Sequence, residues 1–140
     1  MKARRLLCVY PISMTHIDLH DAPIFLALIL ALVMGLGSIV APIRVTRQFD
    51  IVTLTPAGRN EVRAVYGGFG LAMAAMFATA LLQPDLRSGI CLTAAAALAG
   101  MGGGRLLSAG IDRQIGRFPL FYLCLEVILA VLLFYAAKIG

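Results

Sequence analysis

The sequence predicts an all-α integral membrane protein whose four transmembrane helices form an antiparallel bundle. Three observations predict this fold class. The 140-residue chain is 61% apolar and only 14% charged, whereas soluble domains are about half apolar and a quarter charged. Four long stretches contain almost no charged side chain. The connections between the second, third and fourth stretches are short, which makes consecutive helices antiparallel neighbours. This composition excludes a disordered chain and a nucleic-acid-binding module, and it argues against a soluble enzyme.

Each of the four stretches is long enough to cross a membrane as a helix. About 20 helical residues cross a hydrocarbon core of roughly 30 Å. The charge-poor stretches are Ala22–Ile43, Ala64–Pro84, Ser88–Ala109 and Phe118–Ala137. Arg105 and Glu126 are the only charged residues inside them. The sequence therefore predicts a single domain over residues 22–140, with spans near residues 22–43, 62–84, 88–109 and 118–137.

Helix-breaking and helix-capping residues lie between these spans. Asp21 is suited to cap the first helix, and Pro23 lies in its first turn, where a missing N–H costs little. Pro42 is expected to end that helix. The Gln83–Asp85 turn separates the second and third spans. Thr55 precedes a proline and is suited to begin a short helix at the membrane interface.

The expected orientation depends on where translation starts. Residues 1–21 are predicted to be an N-terminal tail, and Met14 is an alternative start. We call side A the side of the two termini and of the Gln83–Asp85 turn, and side B the side of the other two connections. Side A has five basic residues and side B has six. A start at Met14 changes this to two against six, which places side B in the cytoplasm and the termini outside.

Small residues recur at intervals of four along three of the spans. Helices in lipid associate through close backbone contact, which such residues permit. The lines are Ala27, Ala31 and Gly35 in span one, Gly70, Ala74 and Ala78 in span two, and Ala96, Gly100 and Gly104 in span three. Since the third line is the richest in glycine, span three is expected to be the central helix.

The charges inside the spans predict a polar site. A charged side chain at a helix centre costs up to about 2.5–3.5 kcal/mol on insertion scales, so it faces the bundle interior and pairs. Arg105 lies roughly 6 Å below the side-B end of its span and Glu126 roughly 12 Å, within reach of an arginine side chain. We expect a pocket that opens to side B with Glu126 at its floor. The predicted ligand-binding residues are Glu61, Arg63, Tyr66, Arg105, Asp112, Tyr122 and Glu126.

Two interpretations of these charges stay open at this point. In the functional one, Arg63 and Arg105 hold an anionic head group, or Glu126 relays a proton. In the structural one, the charges are ion pairs that set the order of the helices. A cluster of this size exceeds what one structural pair requires.

One segment resembles a known family. The run Asn60–Gly68, of sequence NEVRAVYGG, resembles the signature of the bacterial membrane family called domain of unknown function 4345. The later Gly102–Arg105 stretch, Asp112 and Glu126 are similar to further features of that family. The resemblance begins near Ala22. It implies a small four-helix protein of the bacterial cytoplasmic (inner) membrane and brings no known activity.

Other patterns predict no cofactor and no metal site. His16 and His20 are four residues apart and are weak metal candidates in the predicted tail. The 3 cysteines have no paired spacing, and no phosphate-binding loop or dinucleotide motif occurs. The net charge of +5 comes from basic residues that flank the spans, where they suit anionic head groups. No nucleic-acid partner is therefore predicted.

Three hypotheses about function follow. The first is binding of a lipid or another amphipathic small molecule in the polar pocket. The second is an accessory or structural subunit of a larger membrane complex, or a homo-oligomer, held through its small-residue faces. The third, less favoured, is a small intramembrane enzyme with Glu126 or Glu61 as acid/base and Tyr66 assisting. Each hypothesis also has the lipid bilayer as a partner.

Overall fold

The computed structural model describes residues 21–139. Their helices are α1 (Ala22–Val40), α2 (Pro42–Thr46), α3 (Pro56–Val62), α4 (Phe69–Leu82), α5 (Pro84–Asp112) and α6 (Arg117–Ile139). A 3-10 turn covers Arg47–Phe49, a π-helical segment covers Arg63–Gly68, and no strand occurs in this part of the chain. Four helical units are long and apolar enough to cross a membrane. The predicted all-α class with four such helices is confirmed.

The second of these units is longer than predicted. The helix α3, the π-helical segment and α4 run without a break as one 27-residue unit, Pro56–Leu82, which we call the second long helix. Thr55 begins it, because the Gly58 N–H donates to the Thr55 Oγ1 at 3.1 Å. The helix expected after Thr55 is therefore the first turns of this unit and not a separate helix.

The start of α1 differs from the prediction. Asp21 occupies the N-cap position, but its side chain makes no capping hydrogen bond. Its carboxylate instead lies 2.8 Å from the Arg87 Nη2, and both side chains are largely buried. Asp21 therefore pairs with Arg87 of α5 and does not cap α1. At the other end, α1 stops at Val40, and α2 begins with Pro42, as the proline rule predicts. His16, His20 and Met14 lie outside the described residues.

Glycine lets α1 and the second long helix pack backbone to backbone. A Cβ added at Gly70 would lie 3.0 Å from the Gly35 Cα, and one added at Gly35 would lie 2.9 Å from the Leu71 backbone nitrogen. Ala27 and Ala74, on the same two lines, are buried. The predicted close contact is confirmed for the small-residue lines of the first two spans.

The third line makes no such contact within the described residues. Ala96, Gly100 and Gly104 are exposed, and a Cβ added at either glycine would meet nothing within 4 Å. Gly102 makes the contact instead, since a Cβ there would lie 3.4 Å from the Leu123 Cδ1 of α6. Two residues along a helix rotate the side-chain direction by about 200°, so Gly100 and Gly102 face nearly opposite ways. This line therefore does not pack span three against another helix of the described residues.

The hydrophobic core lies in the half of the molecule that holds Asp21 and the Gln83 turn. Phe77, Ile24, Ile90 and Leu133 are its largest buried members. At the other end of the molecule, polar contacts join α5 to α6, the second long helix to α1, and α6 to the connection after α1. The candidate site lies at that end.

Candidate functional site

Arg105 and Glu126 form a two-point ion pair between α5 and α6. The Arg105 Nε donates to both carboxylate oxygens of Glu126 at 2.9 Å, and Nη2 donates to Oε1 at 2.8 Å. The Glu126 side chain is 5% exposed and that of Arg105 is 23% exposed. Such paired geometry is among the strongest available to an arginine. The carboxylate is therefore occupied by its partner.

Tyr122 joins this pair to the connection after α1. The Arg105 guanidinium carbon lies 5.5 Å from the centre of the Tyr122 ring, which permits a cation–π interaction. The Tyr122 hydroxyl donates to the Gln48 Oε1 at 2.7 Å, and its ring lies 5.6 Å from that of Phe49. We call Arg105, Glu126, Tyr122 and Gln48 the Glu126 cluster. Gln48 was missed in the sequence because a lone glutamine in a connection carries no signal.

The other predicted ligand-binding residues lie outside this cluster. Glu61 and Tyr66 are exposed on the second long helix, and Asp112 accepts a hydrogen bond from the Ser108 hydroxyl at 3.2 Å. Within residues 21–139, no hydrogen bond or ion pair connects any of them, or Arg63, to the Glu126 cluster. Of the seven candidates, Arg105, Tyr122 and Glu126 are thus the ones that the structure joins by direct contacts.

A separate cavity lies where α1 ends and the second long helix begins. Its volume is about 440 Å³, and it is open to the exterior. We call it the arginine cavity, because four arginines contribute to its wall together with the short stretch Val40–Ile43. It is lined by Val40, Ala41, Pro42, Ile43, Arg44, Arg47, Arg59 and Arg63. Of the predicted candidates, Arg63 lines it. The other three arginines appeared in the sequence as ordinary flanking charges, since nothing local shows that they converge.

Two of the four guanidinium groups are anchored to backbone carbonyls. The Arg63 Nε donates to the Ile39 carbonyl at 3.0 Å, which satisfies a carbonyl at the end of α1. The Arg59 Nη1 donates to the Leu54 carbonyl at 2.9 Å. A guanidinium has five N–H donors. Each anchored group therefore keeps donors for a further acceptor.

The cavity has a strong positive charge that no carboxylate offsets directly. Among the residues that line it, none is acidic. In the part of the chain that the structure describes, the carboxylates paired with an arginine are Asp21 and Glu126, and neither pairs with a cavity arginine. Asp50 and Glu61, on the surrounding segments, are exposed and do not line the cavity. Four like charges around one space favour an anion there.

An apolar surface leads away from the cavity along α1. Val40 lines the cavity and is one of the most exposed hydrophobic residues of the chain. Leu36 and Val33 are also exposed and follow at helical spacing. These three side chains share one face of the helix. The cavity thus has a charged wall with an apolar strip beside it.

Metal-ligand groups are not gathered near this end. Within residues 21–139, no three His, Cys, Asp or Glu side chains are placed to hold one metal ion. Cys91 is buried in the core half, and Cys124 is exposed on α6.

Comparison with known proteins places the chain in a family. The family model described as Domain of unknown function (DUF4345) matches residues 22–137. The match begins with the first residue of α1 and ends in the last turn of α6. No curated protein and no solved structure matches the chain.

Proposed function

The chain belongs to this DUF4345 family, and from that premise we propose that it is a multi-pass protein of the bacterial cytoplasmic membrane with its four long helices in an antiparallel bundle. Contacts at both ends of the molecule support helices that alternate in direction. Asp21, before α1, pairs with Arg87 at the start of α5. Gln48, after α1, accepts a hydrogen bond from Tyr122 at the start of α6. Consecutive long helices would thus cross the membrane in opposite directions.

The function that the geometry supports best is binding of an anionic amphipathic molecule. The observation that carries this proposal is the convergence of four arginines, without carboxylate partners, on one open cavity. Its volume is about 440 Å³ and it is open to the exterior, which suits a head group held at the surface of the protein. Arginine is the residue that best matches a phosphate or carboxylate group with paired hydrogen bonds. A head group would lie among the arginines, and its apolar chains would follow α1.

The position of the cavity along the helices fits a lipid head group. The helix α1 has 19 residues, and a rise of 1.5 Å per residue makes it about 28 Å long, close to the thickness of the hydrocarbon core. The cavity begins at its last residue, Val40. That depth is where anionic head groups lie and where basic pockets bind them.

The Glu126 cluster supports a structural role better than a catalytic one. Glu126 accepts three hydrogen bonds from Arg105, which leaves it poorly placed to exchange a proton with a substrate. The other two enzyme candidates, Glu61 and Tyr66, are exposed and lie outside the cluster. We therefore rank the enzyme hypothesis below the binding hypothesis. In our proposal, the cluster holds α5, α6 and the arginine-bearing connection together.

Native mass spectrometry in mild detergent tests the binding proposal. The protein is titrated with dioctanoyl phosphatidylglycerol, which is anionic, and with dioctanoyl phosphatidylcholine, which is zwitterionic. We expect a defined adduct with the anionic lipid and affinity at least about tenfold weaker for the zwitterionic one. The double variant Arg44→Gln/Arg47→Gln should lose more than about tenfold in affinity, because each charge-assisted hydrogen bond contributes about 1.5–3 kcal/mol.

The control removes the same charge from the same end of the molecule. Arg113 and Arg117 are exposed and do not line the cavity, so Arg113→Gln/Arg117→Gln should bind like the wild type. Arg44 and Arg47 make no side-chain hydrogen bond within the described residues, so the test variant should keep its helical circular dichroism. Equal loss in both double variants would contradict the cavity as the site.

A second candidate function is that of a subunit in a larger membrane assembly. The observation that favours it is the exposed glycine face of α5, where a Cβ added at Gly100, Gly103 or Gly104 would meet nothing within 4 Å. Such faces allow another helix to approach closely. In the same mass spectra, a dimer of this chain that Gly100→Leu dissociates, with the Arg44→Gln/Arg47→Gln variant still dimeric, would favour this candidate. A wild type that is monomeric at all concentrations would contradict a dimer.

A further inference from the structure

We infer that the arginine cavity selects a terminal phosphate, which is the dianionic head group of a lipid phosphomonoester or diphosphate, over the singly charged phosphodiester of most membrane lipids. The inference rests on the proposed function, because it names the ligand class of the same cavity. Three properties of the cavity carry it: the number of its charges, the directions from which they come, and the anchoring of two of them.

The number of arginines favours a ligand with more than one negative charge. Four arginines line the cavity and no acidic residue does. A phosphodiester brings one negative charge, whereas a phosphomonoester brings about 1.5 to 2 at neutral pH. The repulsion among the four cations decreases with each charge that the ligand supplies. A diphosphate would offset still more of it.

The arginines also reach the cavity from two separate stretches of the chain. Arg44 and Arg47 lie on α2 and the 3-10 turn that follows it, and Arg59 and Arg63 lie one turn apart on the second long helix. Donors from two stretches suit a group whose acceptors point in more than one direction. A terminal phosphate has three strong acceptor oxygens and one ester bond. A phosphodiester has two such oxygens, and its second ester substituent would occupy space between the guanidinium groups.

The anchored pair makes the cavity a prepared receptor. Arg63 is held by the Ile39 carbonyl and Arg59 by the Leu54 carbonyl. A side chain that is already held by a hydrogen bond loses less conformational freedom when a ligand arrives, which lowers the cost of binding. Since both keep free N–H donors, they can address separate oxygens of one phosphate group.

Two lipids with identical chains and different head groups test the inference. Wild-type protein in detergent at pH 8 is titrated with dioctanoyl phosphatidic acid and, separately, with dioctanoyl phosphatidylglycerol, and adducts are counted by native mass spectrometry. We expect the phosphomonoester to bind about tenfold more tightly or better, as one added charge-assisted hydrogen bond would produce. The preference should fall to near parity in Arg44→Gln/Arg47→Gln and persist in Arg113→Gln/Arg117→Gln.

The failures of the two proposals are distinguishable. Equal affinity for both anionic lipids in the wild type would overturn the terminal-phosphate inference and leave the proposed function standing. Binding of neither lipid would overturn the proposed function itself. Inorganic phosphate and glycerol 3-phosphate form the third arm, and we expect them to compete only at much higher concentration. If they matched phosphatidic acid, the lipid source would be overturned and a soluble phosphate would be the ligand.

Discussion

Arg105 reaches Glu126 across 21 positions of sequence and donates three hydrogen bonds of 2.8–2.9 Å to its carboxylate. The pair joins α5 to α6 in the half of the molecule that lacks the main hydrophobic core. Gly102 lies beside the pair, since a Cβ there would be in ordinary van der Waals contact with the Glu126 Oε2 at 3.9 Å and the Leu123 Cδ1 at 3.4 Å. Gly102, Arg105 and Glu126 thus lie at one contact between α5 and α6.

Removing the anion of this pair should destabilise the protein. In Glu126→Gln, Arg105 keeps its charge inside the bundle without a carboxylate, and the loss approaches about 3 kcal/mol, the lower end for buried pairs, since Arg105 remains 23% exposed. The apolar double variant Arg105→Met/Glu126→Leu should recover most of that loss. Thermal unfolding in detergent measures both. A double variant less stable than Glu126→Gln would contradict this account.

The crossing of α1 and the second long helix should not tolerate one extra methyl group. A Cβ at Gly70 would lie 3.0 Å from the Gly35 Cα, and backbone cannot move aside as a side-chain end can. Gly70→Ala should cost about 1–3 kcal/mol. Gly100→Ala is the matched control, because nothing lies within 4 Å of its added Cβ, and it should be neutral or stabilising by up to about 1 kcal/mol. Loss of thermal stability in the control alone would exclude this packing.

Tyr122 should influence the arginine cavity from a distance. Its hydroxyl donates to Gln48 at 2.7 Å, and Gln48 directly follows the cavity residue Arg47. Tyr122→Phe removes a hydrogen bond of about 0.5–1.5 kcal/mol and should weaken anionic-lipid binding a few-fold without changing helical content. Tyr135→Phe, exposed on α6, should leave affinity unchanged. If native mass spectrometry shows equal affinities for both variants and the wild type, Tyr122 has no such role.

Ser38 should be replaceable with a gain in stability. Its side chain is fully buried in α1, and within residues 21–139 its hydroxyl has no hydrogen-bond partner. A buried polar group without a partner costs about 1–3 kcal/mol. Ser38→Ala removes the hydroxyl and keeps nearly the same volume, so the unfolding temperature should rise. A lower unfolding temperature would show that the hydroxyl makes a favourable contact in the folded protein.

Pairing of Arg105 with Glu126 illustrates what could be predicted without the structure. Each charge lies within an otherwise apolar helix, and the cost of an unpaired charge in lipid is large enough to require a partner. The helix lengths and the short connections limit which partners are within reach. Close packing along the lines that contain Gly35 and Gly70 could also be predicted, since small residues at intervals of four share one helix face.

The composition of the ligand site could not be predicted in the same way. Glu61, Tyr66 and Asp112 were grouped with Glu126 because they belong to the same end of the bundle. Depth along a helix follows from counting residues. The direction of a side chain around the helix axis changes by about 100° per residue. Small differences in how each helix is rotated therefore decide which side chains meet.

The sequence by itself determined the helical class, the four long apolar helices, the family resemblance and the need for Arg105 and Glu126 to be paired. These follow from local composition and from the energetic cost of charge in an apolar medium. Only the tertiary structure decided that α5 turns Gly102 inward and Gly100 outward, and that Arg44, Arg47 and Arg59 join Arg63 around one cavity. Convergence of separate segments depends on helix rotation and connection geometry, which no local pattern records.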